Sequence, residues 1–206
     1  MTREKQIIIA ARVVSMVFTP FYLPILGLVA LFFLSYLSQY LPSYKFFVLA
    51  VVYFFTILLP TFLIHLYRRY QGWSLIELGH KERRIVPYLI SILCYYTCLY
   101  IMEQMHIPYF MRSIVASALV IQIVCALINV WWKISTHTAA IGGVAGALLI
   151  FSELFNFNPM WWFSLVLLVA GILGTSRMIL RQHSLAQVVG GFLIGFFCAV
   201  LTIVYL

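Results

Sequence analysis

The segment from Ser176 to Gln187, SRMILRQHSLAQ, places polar side chains between two apolar runs that are each long enough to cross a bilayer. Arg177 and His183 stand six residues apart, and Gln187 follows one helical turn after the histidine. Charged groups at membrane depth are costly and usually serve a function. A guanidinium binds oxyanions, and an imidazole can act as a nucleophile or transfer a proton. The segment therefore predicts an anion site with nucleophilic or acid–base chemistry.

Two further polar clusters open apolar spans at the same end as this segment, one at residues 80–87 and one at residues 132–143. The groups that we expect to share a pocket are Lys81, Arg83, Arg84, Lys133, Ser135, His137, Arg177, Arg181 and His183. Cations, a hydroxyl and helix N-termini together favour phosphate as the ligand. One histidine can attack phosphorus while the other protonates the leaving oxygen. The simpler alternative is a solvated basic face, which explains one cluster more easily than it explains three.

The acidic residues disfavour metal chemistry, because all five of them are Glu and the chain contains no Asp. Sites for hard cations use several carboxylates, and the carboxylate near the clusters is Glu82 alone. We therefore expect a site without a metal and an activity without a cofactor. The same composition disfavours membrane transferases that rely on paired Asp motifs.

The composition indicates a membrane protein, since 65% of the 206 residues are hydrophobic, 17% are aromatic and only 9% are charged. Such usage lies far outside that of soluble globular proteins. We expect an all-α, polytopic helical bundle of six or seven spans that forms a single domain over residues 1–206. The net charge of +8 comes from cations in short loops, so anionic lipid headgroups or phosphorylated ligands are better partners than nucleic acid.

Largely uncharged runs of about 20 residues predict the membrane spans. They are residues 18–38, 46–67, 86–102, 110–132, 136–155, 158–176 and 184–206, with an interfacial helix expected over residues 4–17. With seven crossings, eleven Lys and Arg residues lie on the side of the clusters, and Lys45 and Arg112 lie opposite. This asymmetry predicts that the site faces the cytoplasm. We expect a multi-pass protein of the bacterial inner membrane. If residues 13–44 do not cross, six crossings remain and the site lies outside.

The clusters resemble the motifs of the type-2 phosphatidic acid phosphatase superfamily, which includes lipid phosphate phosphatases, bacterial acid phosphatases and vanadium haloperoxidases. Its pattern is Lys, six residues, Arg-Pro; then Pro-Ser-Gly-His; then Ser-Arg, five residues, His, three residues, Asp. The resemblance covers roughly residues 80–206, the expected phosphatase-like core. It is closest in the third motif, where Ser176, Arg177 and His183 have the family's spacing.

The other two motifs match in part. The second matches at Ser135 and His137, whereas Ile134 and Thr136 replace the family's Pro and Gly. The first matches in charge and not in spacing, so its cations are candidate phosphate ligands by charge alone. The resemblance implies a catalytic pair, with His183 as the nucleophile that forms a phosphohistidine and His137 as the general acid. The implied substrate-binding residues are Arg177 and Ser135. Further candidate substrate-binding residues, chosen by charge, are Lys81, Arg84 and Lys133.

Gln187 departs from the family, which has Asp at this place to hydrogen-bond Nδ1 of the nucleophile. A Gln carbonyl can also accept the Nδ1 proton and orient the ring, but it supplies no negative charge. Three consequences stay open: a slow activity, compensation by another group, or phosphate binding without cleavage.

The leading hypothesis is a metal-independent lipid phosphatase of phospholipid metabolism, acting on a phospholipid or a polyprenyl phosphate or pyrophosphate. The first alternative is a catalytically weakened relative that binds anionic lipid or a partner protein. The second is a small anion transporter, which Arg and His residues at span ends would suit.

Overall fold

The computed structural model describes residues 3–34, 39–72 and 85–205, and the regular elements in these ranges are all helices. The eight helices are α1 (Arg3–Val17), α2 (Leu23–Leu34), α3 (Pro42–Gln71), α4 (Ile85–Gln104), α5 (Tyr109–Trp131), α6 (Thr136–Leu154), α7 (Met160–Ile179) and α8 (Leu185–Tyr205). The predicted all-α, polytopic bundle is confirmed.

Six of the described helices, α3 to α8, are long and apolar enough to cross a membrane. They coincide with six of the seven predicted spans. The remaining predicted span, residues 18–38, lies partly outside the described residues. The helix within it, α2, has 12 residues, whereas a span needs about 20. The helix expected over residues 4–17 is present as α1.

The chain divides into two compact units, one made of residues 24–132 and the other of residues 1–23 and 133–206. The first unit contains α3, α4, α5 and most of α2. Its α3 widens into a π-helical turn at Phe54–Leu58. Pro60 explains this turn, because a proline in a helix lacks an N–H and crowds the carbonyl four residues earlier.

The second unit contains α1, α6, α7 and α8, and it carries every described residue of the second and third motifs. Its core includes the fully buried Leu173 of α7 and the buried Ile141 of α6. Val14 of α1 and Phe18, which follows this helix, pack against the same cluster. The N-terminal helix is therefore part of the unit that holds the candidate site.

Glycines bring α6 and α8 into backbone contact. A Cβ on Gly191 would lie 2.6 Å from the carbonyl oxygen of Ser135, and one on Gly195 would overlap the carbonyl of Ala139. In return, a Cβ on Gly146 would lie 2.5 Å from the carbonyl oxygen of Phe196. The contacts advance in the same direction along both helices, so α6 and α8 are parallel and begin at the same end. This places the second and third motifs side by side.

Small residues recur at four-residue spacing, a pattern that predicts close helix packing: Ala139, Gly143 and Ala147 in α6 and Gly191 and Gly195 in α8. The structure confirms this packing at Ala139, Gly191 and Gly195. The glycines that approach α8 are Gly142, which faces the carbonyl of Phe192, and Gly146.

A tight turn joins α7 to α8. The N–H of Gln182 donates to the carbonyl of Arg177 at 3.1 Å, and the N–H of Arg181 donates to that of Met178 at 2.9 Å. This is the Schellman pattern of a helix end, in which one residue adopts the left-handed conformation. That residue is Arg181, with φ of 51°. This turn ends α7 just after Arg177 and leads directly to His183, which precedes α8.

Candidate functional site

The first turn of α8 is closed by a reciprocal pair of hydrogen bonds between Ser184 and Gln187. The backbone N–H of Gln187 donates to Ser184 Oγ at 3.4 Å, and the backbone N–H of Ser184 donates to Gln187 Oε1 at 3.2 Å. This is a capping box, which satisfies donors that the start of a helix otherwise leaves without partners. Gln187 therefore has a local structural role in addition to the role expected from its position.

The same amide oxygen holds His183. Oε1 of Gln187 lies 3.2 Å from Nδ1 of His183, whose side chain is buried. The Ser184 N–H requires an acceptor at this point, which identifies the amide atom as oxygen and not nitrogen. An oxygen can only accept, so Nδ1 of the imidazole must carry the proton. In the neutral ring, Nε2 then has the lone pair that a nucleophile needs.

Ser135 caps the N-terminus of α6 and is fully buried. Its Oγ accepts from the backbone N–H of Thr138 at 3.4 Å. Its own backbone N–H donates to the carbonyl of Gln187 at 3.4 Å, which ties the loop before α6 to the first turn of α8. A hydroxyl that accepts one bond still has a proton to donate. Ser135 is thus compatible with the phosphate contact that the resemblance implies.

His137 lies in the first turn of α6, two residues after the cap. Its side chain is half-buried, with Nδ1 screened from solvent. The parallel packing places this turn beside the start of α8. An approach of the two imidazole rings to within a phosphate's width stays a prediction.

Arg177 occupies the last turn of α7 and is 7% exposed. Its Nη1 donates to Ser15 Oγ at 2.6 Å, in a contact that spans 162 residues of sequence. Sequence reasoning missed Ser15 because no motif includes it and no periodicity links α1 to α7. Gly174 lies one turn before Arg177. A Cβ added to Gly174 would lie 2.7 Å from a side-chain carbon of Val188 in α8. The end of α7 therefore adjoins the start of α8.

The structure places the remaining predicted ligands in different surroundings. Lys133 is half-buried in the loop just before Ser135, close in sequence to the α6 cap. Arg181 is exposed at the turn after α7. Lys81, Arg83 and Arg84 lie outside the described residues, so the first cluster stays a prediction.

The candidate residues offer imidazoles, a guanidinium, hydroxyls and backbone N–H groups at two helix N-termini. Such donors are suited to an anion. Within residues 3–34, 39–72 and 85–205, no group of three or more His, Cys, Asp or Glu side chains is arranged to hold a metal ion.

These features indicate a multi-pass helical membrane protein. Imidazole, guanidinium and hydroxyl side chains lie at the adjoining ends of α6, α7 and α8. Residues 129–206 match the family model of the PAP2 superfamily. The matched region contains the second and third motifs, and the resemblance inferred from them is confirmed for this part of the chain. The match supports a phosphatase-type family. Searches of curated proteins and of solved structures found no match.

Proposed function

We propose that the protein is a lipid phosphate phosphatase that transfers the phosphoryl group of its substrate to His183 and then to water. The observation that carries this proposal is the hydrogen bond between Nδ1 of His183 and Oε1 of Gln187. It places the proton on Nδ1 and so gives Nε2 the lone pair for attack on phosphorus. The family match at residues 129–206 supports the same chemistry.

The first step is attack of His183 Nε2 on phosphorus. A nitrogen–phosphorus bond forms, the bond from phosphorus to the lipid oxygen breaks, and the leaving oxygen takes a proton from His137 acting as general acid. The product is a phosphohistidine whose ring carries a positive charge. The carbonyl dipole of Gln187 stabilises this charge, although less than a carboxylate would.

The second step is hydrolysis of the phosphohistidine. His137, now neutral, accepts a proton from water as the water oxygen attacks phosphorus. The nitrogen–phosphorus bond breaks, its electron pair returns to Nε2, and inorganic phosphate leaves. The ring of His183 is then neutral again with its proton on Nδ1, ready for another cycle.

Arg177 and the two helix N-termini supply the positive potential that the phosphoryl oxygens require. A guanidinium presents its donors in a plane that matches two phosphate oxygens. The N-termini of α6 and α8 point their partial positive charges toward the same end of the unit. Lys133, and Lys81 and Arg84 of the first cluster, are proposed as further ligands by charge.

A lipid substrate fits the apolar surroundings of this site. The outward faces of α7 and α8 expose large apolar side chains, among them Leu168, Ile172, Phe197 and Leu201. An acyl or prenyl chain can therefore lie along these helices while its phosphate reaches their motif-bearing ends. A phospholipid meets this requirement, and so does a polyprenyl phosphate or pyrophosphate. We propose the bacterial inner membrane as the location of the protein.

A second candidate function is binding of a phosphorylated lipid without turnover. The observation that favours it is the neutral character of Gln187, whose oxygen is shared between Ser184 and His183. In this case the site selects phosphate but does not stabilise a charged His183 ring enough for transfer.

The test measures phosphate release by purified protein from phosphatidate, phosphatidylglycerophosphate and undecaprenyl pyrophosphate. Wild-type protein is compared with His183→Ala and with His65→Ala, a control histidine on the exposed surface of α3. We expect release from at least one lipid by wild type and His65→Ala, and none by His183→Ala. Binding of the lipids by wild type without release would favour the second candidate, and equal release by all three proteins would remove His183 from the mechanism.

A further inference from the structure

The N-terminal helix α1 contributes a polar side chain to the second unit, which consists of residues 1–23 and 133–206. Ser15 of α1 accepts a hydrogen bond from Arg177 Nη1 at 2.6 Å, and each of the two side chains is only 7% exposed. Ser15 lies outside the region that matches the family, which begins at residue 129. The contact therefore joins a motif arginine to a part of the chain that the motifs do not include.

Other helical hydroxyls in this unit are used differently. Ser176 Oγ donates to the carbonyl of Ile172 at 2.8 Å, and Thr202 Oγ1 donates to that of Cys198 at 2.7 Å. Each of these bonds lies within one helix and is the common use of a hydroxyl in an apolar helix. Ser15 instead receives a charge-assisted bond from another helix, which is the stronger kind of hydrogen bond.

The position of the Ser15 hydroxyl is fixed by apolar contacts on both sides. Val14 precedes it, Phe18 follows one turn later, and both pack against the cluster of Ile141 and Leu173. Ile141 and Leu173 belong to α6 and α7, the helices that carry His137 and Arg177. The acceptor for the guanidinium is thus anchored to the helices that form the site.

We infer that Ser15 is a positioning residue that sets the plane of the Arg177 guanidinium for the transferring phosphoryl group. This inference rests on the proposed phosphatase function. An arginine side chain is long and flexible, and a guanidinium has five N–H donors in one plane. A bond at Nη1 therefore fixes the plane in which the other donors of the guanidinium lie. Since a small misplacement of a binding group can cost much of a reaction rate, the orientation affects transfer more than folding.

The matched variants are Ser15→Thr and Ser15→Val, because the two side chains have similar shape and only threonine retains the hydroxyl. We expect Ser15→Val to lower kcat/KM for phosphatidate by about tenfold to a hundredfold, as loss of a hydrogen bond to a charged group does. The loss should fall mainly on kcat, and the affinity for vanadate should fall by a similar factor. Ser15→Thr should retain most of the wild-type activity and vanadate affinity.

Two further variants separate positioning from a purely structural role. In an Arg177→Ala background, Ser15→Val should have no additional effect on kcat/KM, because the group that it positions is absent. Thr202→Val, which removes a hydroxyl bonded within its own helix, should leave the kinetics unchanged. Melting temperatures for all variants show whether each protein remains folded.

The outcomes distinguish this inference from the proposed function. If wild type releases phosphate and Ser15→Val matches Ser15→Thr in both kcat and vanadate affinity, Ser15 only holds α1 in place and the inference is wrong. If wild type releases no phosphate, the proposed phosphatase fails, and the vanadate affinities of the Thr and Val variants still decide whether Ser15 orients Arg177. Failure of wild type to bind vanadate overturns the inference as well.

Discussion

The amide oxygen of Gln187 lies 3.2 Å from Nδ1 of His183 and 3.2 Å from the backbone nitrogen of Ser184. One neutral acceptor thus both orients the imidazole and caps the helix that follows it. The family has a carboxylate at this place, and a carboxylate would add a negative charge beside the ring. In the proposed mechanism, the amide preserves the tautomer that attack requires and gives up part of the stabilisation of the charged intermediate.

The first prediction concerns this missing charge. Gln187→Glu keeps the side-chain length and the capping box, since Gln and Glu serve equally there, and it adds the carboxylate. We expect kcat for phosphate release to rise by about tenfold to a hundredfold, from about 1–3 kcal/mol of added transition-state stabilisation. Gln187→Asp should also raise kcat, but less, because its shorter side chain reaches Ser184 and His183 less well. Gln187→Leu should lower it.

A fall in kcat for Gln187→Glu, with an unchanged melting temperature, would contradict this interpretation. It would mean that the site is adapted to the amide and that another group already stabilises His183. If the protein only binds phosphate, Gln187→Glu should weaken vanadate affinity and create no turnover.

The second prediction concerns inhibitors. We expect phosphate release to continue in EDTA and to be inhibited by vanadate, which can take the five-coordinate geometry of phosphorus in transfer to a histidine. The reason is the donor set of the site, which consists of imidazoles, cations and backbone N–H groups suited to an anion. Release assays with EDTA, with added Mg²⁺ or Zn²⁺ and with vanadate make the measurement. Strict dependence on Mg²⁺ or Zn²⁺ would contradict the phosphohistidine mechanism.

The third prediction concerns the contact between α6 and α8. Gly195→Ala should destabilise the protein by about 1–3 kcal/mol, because its new methyl group overlaps the backbone carbonyl of Ala139 and one of the helices must move. Phosphate release per folded molecule should also fall, since this contact keeps the N-termini of both helices together. Gly171→Ala in α7 is the control, because a Cβ there meets nothing within 4 Å. Equal melting temperatures for the two variants would refute the close contact.

The fourth prediction concerns the turn between α7 and α8. Arg181 has φ of 51°, a left-handed conformation that costs most side chains about 1 kcal/mol and glycine almost nothing. Arg181→Gly should therefore raise the melting temperature, while kcat/KM stays close to wild type because the Arg181 side chain is exposed. Thermal unfolding and release assays test both parts. A large loss of kcat/KM would instead support Arg181 as a phosphate ligand.

The fifth prediction concerns the side of the membrane. Asn158 precedes α7 and Gln182 follows it, and both are exposed. In a background without cysteine, the charge count predicts that an impermeant thiol reagent added outside labels Asn158→Cys and not Gln182→Cys. The opposite pattern would place the site on the outer face, where lipid phosphatases of the resembled family usually act, and would indicate six crossings.

Sequence alone was sufficient for the features that depend on local spacing. Long apolar runs determined six helices able to span a membrane, because length and hydropathy are properties of each segment. The pairing of His183 with Gln187 was expected from their four-residue spacing. His183 itself lies just before α8, and the capping box at Ser184 brings the Gln187 oxygen to it. Small residues on the last spans indicated that they pack closely, and the contact of Gly195 with Ala139 agrees with this pattern.

Tertiary structure decided how these local elements meet. The bond from Ser135 to the carbonyl of Gln187 depends on the parallel alignment of α6 and α8, which each glycine face permits but neither specifies alone. The bond from Arg177 to Ser15 joins residues 162 positions apart. This contact forms because Val14 of α1 and Phe18, which follows it, pack against α6 and α7. The burial of one segment by another depends on the packed chain, and the sequence of a single segment does not determine it.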